Sequence, residues 1–246
     1  MSYYWSVVPL CSKQRRDVNP KDILENGLYR TCDTYKSGGG YDKLPQILEK
    51  RMGLKGYNTQ FVVQLYGCVF SCPYCYVTAD GVNGTPQLIK TEELIEAFKR
   101  SGAPVFHLMG GAPAIYMYRW GELIDKLSEE NPNAIFHSDL LLHESLYEYE
   151  ELKEIAKPNT IYAVSIKGYD DESYYKNTGE KLNSSLVVHN LRRLKKTTGL
   201  NYYITFTGLT AEEVKLAIEF FFIEEDQLKD SFTINLINYE ALKEGN

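Results

Sequence analysis

From about residue 58 onward, short runs of β-branched and aromatic residues alternate with amphipathic helical stretches. That repetition confines the chain to a layered α/β fold of successive βα units around a parallel sheet. Strands are expected over 60–67, 104–109, 134–139, 160–166, 201–207 and 231–237, with helices filling the intervals. Thr210 and Glu213 form a capping box, after which Val214, Ala217, Ile218 and Phe221 recur at helical spacing. Thr91 is expected to cap another helix, with Glu92 and Glu93 in its first turn and Leu94, Ile95 and Phe98 on its inner face. Six parallel strands are two short of the eight that close a (β/α)8 barrel, which leaves an open, curved three-quarter barrel or a doubly wound sheet. In either, ligands bind at the carboxyl ends of the strands.

Residues 1–57 do not continue the alternation and contain the turn Ser37-Gly38-Gly39-Gly40. They are expected to form an N-terminal extension or lid, with 58–246 as the barrel. The glycine run is no phosphate cradle, because no Gly-Lys-Ser/Thr follows it. The uncharged stretch 56–79 carries Asn58, Gln60, Gln64, Ser71, Pro73 and three cysteines, which excludes a membrane span. The first apolar run is followed, not preceded, by its arginines, the wrong order for a secretory signal. A cytoplasmic location is expected. A net charge of −6 provides no broad basic surface, so a nucleic-acid partner is not expected without a local patch that the totals hide.

Three of the five cysteines, Cys68, Cys72 and Cys75, stand at C-x3-C-x2-C spacing in the loop leaving the first of these strands. Structural zinc usually draws four ligands from two separated pairs. No second pair exists here, so a Cys3His zinc site would have to recruit a distant histidine, His107 being the best placed. A [4Fe-4S] cluster on three thiolates is the alternative, and it leaves one iron open to a further ligand. Cys11 and Cys32 read as buried or idle thiols. His107, His137 and His189 read as packed or hydrogen-bonded groups, and His143 as a helix start.

The nonamer Gly67-Cys68-Val69-Phe70-Ser71-Cys72-Pro73-Tyr74-Cys75 resembles the signature of the radical S-adenosylmethionine (SAM) superfamily, Tyr74 included. Gly110-Gly111-Ala112-Pro113, ending the second strand, is similar to that family's Gly-Gly-Glu-Pro motif with the acid replaced. Val164-Ser165-Ile166-Lys167-Gly168-Tyr169-Asp170, followed by Tyr174, Tyr175 and Gly179, resembles the fourth strand and loop of glycyl-radical-enzyme activases. The superfamily resemblance covers about 58–238 and implies an α/β partial (β/α)6 TIM-like barrel with an N-terminal extension.

It further implies that Cys68, Cys72 and Cys75 bind a [4Fe-4S] cluster whose fourth iron is chelated by SAM. Reductive cleavage of SAM then yields a 5′-deoxyadenosyl radical that abstracts hydrogen from the substrate. Carried over by position, Gly110 and Gly111 would let the backbone approach the SAM methionine, and Tyr74 would pack over the cluster loop and contact adenine. Ser138, Asp139, Ser165 and Lys167, at the ends of the third and fourth strands, would reach the ribose and the methionine carboxylate. Ala112 stands where the family keeps an acid for the SAM amino group; Asp139 and Glu122 are the candidates to replace it. The implied substrate is a protein glycine, with a peptide or small molecule as alternatives. The implied partner is an external one-electron reductant of flavodoxin or ferredoxin type. A non-catalytic iron-sulfur or zinc sensor is the reading from a different class.

Overall fold

Alternation of large apolar side chains along each strand makes a sheet that is apolar on both faces, and both faces are covered. The computed structural model describes residues 3–10, 15, 19–33, 43–75, 84–142 and 147–234. Its strands are β1 (Tyr4–Val7), β2 (Ile23–Leu24), β3 (Tyr29–Asp33), β4 (Thr59–Gln64), β5 (Gln87–Lys90), β6 (Val105–Met109), β7 (Ile135–Leu141), β8 (Thr160–Ile166), β9 (Tyr202–Thr207) and β10 (Phe232–Ile234). Its helices are α1 (Leu44–Met52), α2 (Thr91–Ser101), α3 (Trp120–Glu130), α4 (Tyr149–Ile155), α5 (Asp171–Thr178), α6 (Ser184–Lys196) and α7 (Ala211–Phe220). The main sheet runs β10-β9-β8-β7-β6-β4-β3-β2. Strands β4, β6, β7, β8, β9 and β10 are mutually parallel.

Parallel neighbours follow chain order without the reversal that defines a doubly wound sheet, so the architecture is the partial (β/α)6 barrel. Phe61, Phe106, Phe136, Tyr162 and Phe206 point outward into the core shared with Leu94, Phe98, Trp120 and Leu191 of the helices. Val105, Ile135, Ile161, Tyr203 and Phe232 point inward and pack with Leu44, Ile47 and Leu48 of α1. Helix α1 therefore seals the barrel at the amino ends of its strands. Each of these aliphatic side chains is worth about 1.5–3 kcal/mol when buried. Arg51 ties the helix down: Nε donates to Asp230 Oδ2 at 2.7 Å, while Nη1 and Nη2 donate at 2.5 Å to the Tyr202 and Lys229 carbonyls.

The N-terminal segment is not the separate lid expected from its sequence. Strands β2 and β3 extend the main sheet, β3 pairing antiparallel with β4 from Tyr29↔Val63 to Asp33↔Thr59. Strand β1 pairs with β5, and the fully buried Trp5 donates from Nε1 to Thr91 Oγ1 at 3.1 Å. That contact also corrects the role expected of Thr91, which lies inside α2 with Lys90 at the N-cap. The Thr210–Glu213 capping box forms as read, at 2.7 and 3.2 Å. The glycine run at 37–40, Cys11 and His143 lie outside the described residues. Among the described residues no helix is long and apolar enough to cross a membrane.

Candidate active site

Leaving β4, the chain is held against β6: Leu65 N–H donates to the Met109 carbonyl at 2.9 Å, and Ala112 N–H donates to the Gly67 carbonyl at 2.8 Å. Gly110 and Gly111 both have positive φ, +76° and +60°. A Cβ at Gly111 would stand 2.1 Å from Gly67 O and 2.8 Å from Leu65 O, and one at Gly110 would meet Gln64 Cγ at 2.4 Å. The glycine pair is thus required by the close approach of the two loops. Ser71 N–H donates to the Thr178 carbonyl at 2.8 Å, and Cys75 N–H closes a turn onto Cys72 O at 3.0 Å. Cys68 and Cys72 are half-buried and Cys75 is exposed.

These anchors place Cys68, Cys72 and Cys75 in the lining of one pocket at the carboxyl ends of the parallel strands. Among the described residues no three Cys, His, Asp or Glu side chains converge tightly enough to hold a single ion. In a polynuclear cluster each thiolate takes a different iron, so three thiols beside one pocket need not converge on a single point to hold one. Asp139 and Lys167 line the same pocket and are its carboxylate and its ammonium. Lys167 Nζ donates to Tyr74 Oη at 2.9 Å. Burial pushes the Tyr74 phenol up to about 12 against the opposing pull of Lys167, so it stays neutral at neutral pH.

Of the residues singled out in the sequence, Cys68, Cys72, Tyr74, Cys75, Gly110, Gly111, Asp139, Ser165 and Lys167 line this pocket together. Ser138 does not. It is one residue out of phase with Asp139, fully buried, and its hydroxyl donates to the Leu108 carbonyl at 3.0 Å. Ala112 is also fully buried and outside the lining. Glu122 lies on α3 beside Lys126 at 3.1 Å, away from the pocket. His107 lies inside the barrel, its Nε2 at 4.0 Å from Asp139 Oδ2 and its ring 4.3 Å from that of His137. His137 contacts Gln60 Oε1 through Nδ1 at 3.3 Å and Tyr203 Oη through Nε2 at 3.1 Å. Burial lowers both histidines, His137 to about 3. Sequence reading missed Tyr203, Thr205 and Thr207, which also line the pocket, from alternate positions of β9. Their period of two was the available signal.

The family described as the Radical SAM superfamily matches residues 62–221. No curated protein matches the chain. Similar solved structures include native anSMEcpe with bound AdoMet and Kp18Cys peptide, at 20% identity and TM-score 0.51, covering 70% of this chain and 49% of that one. Native anSMEcpe with bound AdoMet and Cp18Cys peptide matches at 21% identity and TM-score 0.50, over 69% of this chain and 48% of that one. The chain spans about half the length of these structures, and the likeness is one of fold.

Proposed function

The chain belongs to the radical SAM superfamily, whose members are enzymes using a [4Fe-4S] cluster and SAM, and we propose that it cleaves SAM in this pocket to act on a protein or peptide. The observation that carries the reading is the shared lining: three thiols from one loop, one carboxylate and one ammonium around a single cavity. Bound there, the two cofactors supply a 5′-deoxyadenosyl radical for hydrogen abstraction. Cys68, Cys72 and Cys75 would hold the cluster. The methionine end of SAM carries an ammonium and a carboxylate, which match Asp139 and Lys167 in sign. Asp139 takes the place of the acid absent at Ala112, since Glu122 does not line the pocket. Tyr74 orients the Lys167 ammonium through their 2.9 Å hydrogen bond. Ser165, also in the lining, would be within reach of the ribose. The cavity itself orients the reactants and keeps water from the reacting C–H bond.

A protein glycine is the substrate favoured by the likeness of 164–179 to the activases, and an external one-electron reductant is required in either case. Ala112 supports a second reading, a scaffold that keeps its cluster without cleaving SAM. One experiment separates the two: anaerobic reconstitution with iron and sulfide, addition of SAM and dithionite, and quantification of 5′-deoxyadenosine. The unaltered chain should produce it and Cys72→Ala should not. A cluster without cleavage favours the second reading, and zinc in protein purified without oxygen overturns both. Asp139→Asn should weaken SAM binding, read by calorimetry, roughly 10- to 100-fold while leaving the cluster's absorbance intact.

A further inference from the structure

Away from the pocket, the last two turns of α6 carry three cations, Arg192, Arg193 and Lys196, along one groove. His189, Arg192, Arg193 and Lys196 line a groove with Phe220 and Phe222 at the end of α7. No acidic residue lines this groove, although the chain has 33 Asp and Glu residues. Among the described residues no carboxylate stands within ion-pair distance of Arg192, Arg193 or Lys196, whereas Lys195, on another face of the same helix, meets Asp226 at 3.4 Å and also pairs with Glu224. Like charges one helical turn apart destabilise a helix. Arg193 is pre-ordered: its guanidinium lies 4.2 Å over the Tyr149 ring and Nε donates to His189 Nε2 at 3.4 Å.

A second feature of the groove is also unfavourable for the free protein. Helix α7 ends in a Schellman turn, with Ile223 N–H donating to Ile218 O at 2.9 Å and Phe222 N–H to Glu219 O at 3.2 Å. The left-handed position of such a turn is usually glycine. Here it is Phe222, at φ +55° and 73% exposed, beside Phe220 at 46%. Two unfavourable choices therefore converge on one surface, an uncompensated cationic stripe and an exposed ring on a strained backbone.

The geometry points to this groove as a docking site for an acidic peptide segment with apolar side chains between its carboxylates. This rests on the reading of the pocket as one that acts on a protein or peptide. The α6 wall of the groove from Ser185 to Lys196 is only roughly 16 Å long at the helical rise, and its cations occupy only the last five positions. It is flanked by Glu148 and Glu150 on either side of Tyr149 and by Glu224 just past Phe222. A short acidic cluster fits between these flanks, while a uniformly charged nucleic-acid strand would run on into them. Side chains on one face of an extended peptide recur every ~6.6 Å, close to the ~6 Å rise between residues four apart on α6. The groove begins at Ser184, soon after Thr178, whose carbonyl holds Ser71 of the cysteine loop. A docked segment would thus lead toward the pocket.

The test uses the full chain and fluorescence anisotropy with three labelled probes: a short peptide alternating Glu and Leu, its Lys and Leu counterpart, and a short oligouridylate. The Glu peptide should bind, more weakly as salt rises. The double variant Arg192→Glu with Lys196→Glu should lower its affinity roughly tenfold or more. Phe222→Gly should also lower affinity while raising the melting temperature, a combination that a purely structural role for Phe222 would not produce. Equal or tighter binding of the Lys peptide or the oligouridylate, or an affinity that neither variant changes, overturns the proposal. Dithionite-driven 5′-deoxyadenosine formation should be unchanged in the double variant. Its absence from the unaltered chain would remove the radical reading, while the anisotropy would still report on the groove.

Discussion

At Gly111 a single hydrogen separates a working loop from a clash, because an added Cβ would lie 2.1 Å from the Gly67 carbonyl at a backbone φ of +60°. Gly110→Ala meets the Gln64 side chain, which can swing aside, whereas Gly111→Ala meets only backbone. Gly111→Ala should therefore cost about 3 kcal/mol and Gly110→Ala distinctly less. Urea unfolding measures the difference, and iron content after reconstitution should fall with Gly111→Ala. Equal midpoints for the two variants would contradict the assignment. That the glycine pair and the cysteines stand beside one pocket was legible from motif and spacing, and Lys167 was a candidate through its place at the end of the fourth strand. The choice between Asp139 and Ser138 was not, since neighbouring strand residues face opposite sides and only the register of β7 decides which faces the pocket.

The parallel strands were readable as elements because each is a local run of β-branched and aromatic residues, and β6, β8 and β9 lie within a residue of their expected limits. Strands β2 and β3 were not readable, because β2 is two residues long and β3 exists by pairing with β4, about thirty positions away. The consequence can be tested by deleting residues 1–40. As a lid, this segment would come away and leave a folded barrel. As built, its loss removes β1, β2 and β3, uncovers the β4 edge and takes Trp5 out of the core. The deletion should yield aggregated or unfolded protein by size-exclusion chromatography and circular dichroism. A monodisperse, folded product that still assembles a cluster would refute this account of the segment.

For the molecule as a whole, the barrel interior couples stability to pH. His137 is held near 3 by burial, and His107 is lowered by burial, by His137 and by Arg30. In the unfolded chain both titrate near 6.5. Between about pH 6.5 and 3 the unfolded state therefore binds more protons, so stability rises with pH across that window and falls on acidification. His137 contributes roughly 1 kcal/mol per pH unit to that slope, and His107 acts in the same direction. His137→Gln should make the dependence of the unfolding free energy on pH shallower by about that amount below pH 6; an unchanged slope would show that the histidine is not buried in its neutral form. Local pattern in the sequence determined the order of the βα units, the cysteine loop and the end of the barrel where it lies, because hydrophobic period and motif spacing act over a few residues. Only the tertiary structure decided that the N-terminal segment completes the sheet and floors the barrel, that Asp139 and Lys167 line one pocket, and that the cations of α6 share a groove with the phenylalanines of α7. Each of these depends on contacts between residues far apart in the chain, and such contacts exist only once strand pairing and helix packing have brought them together.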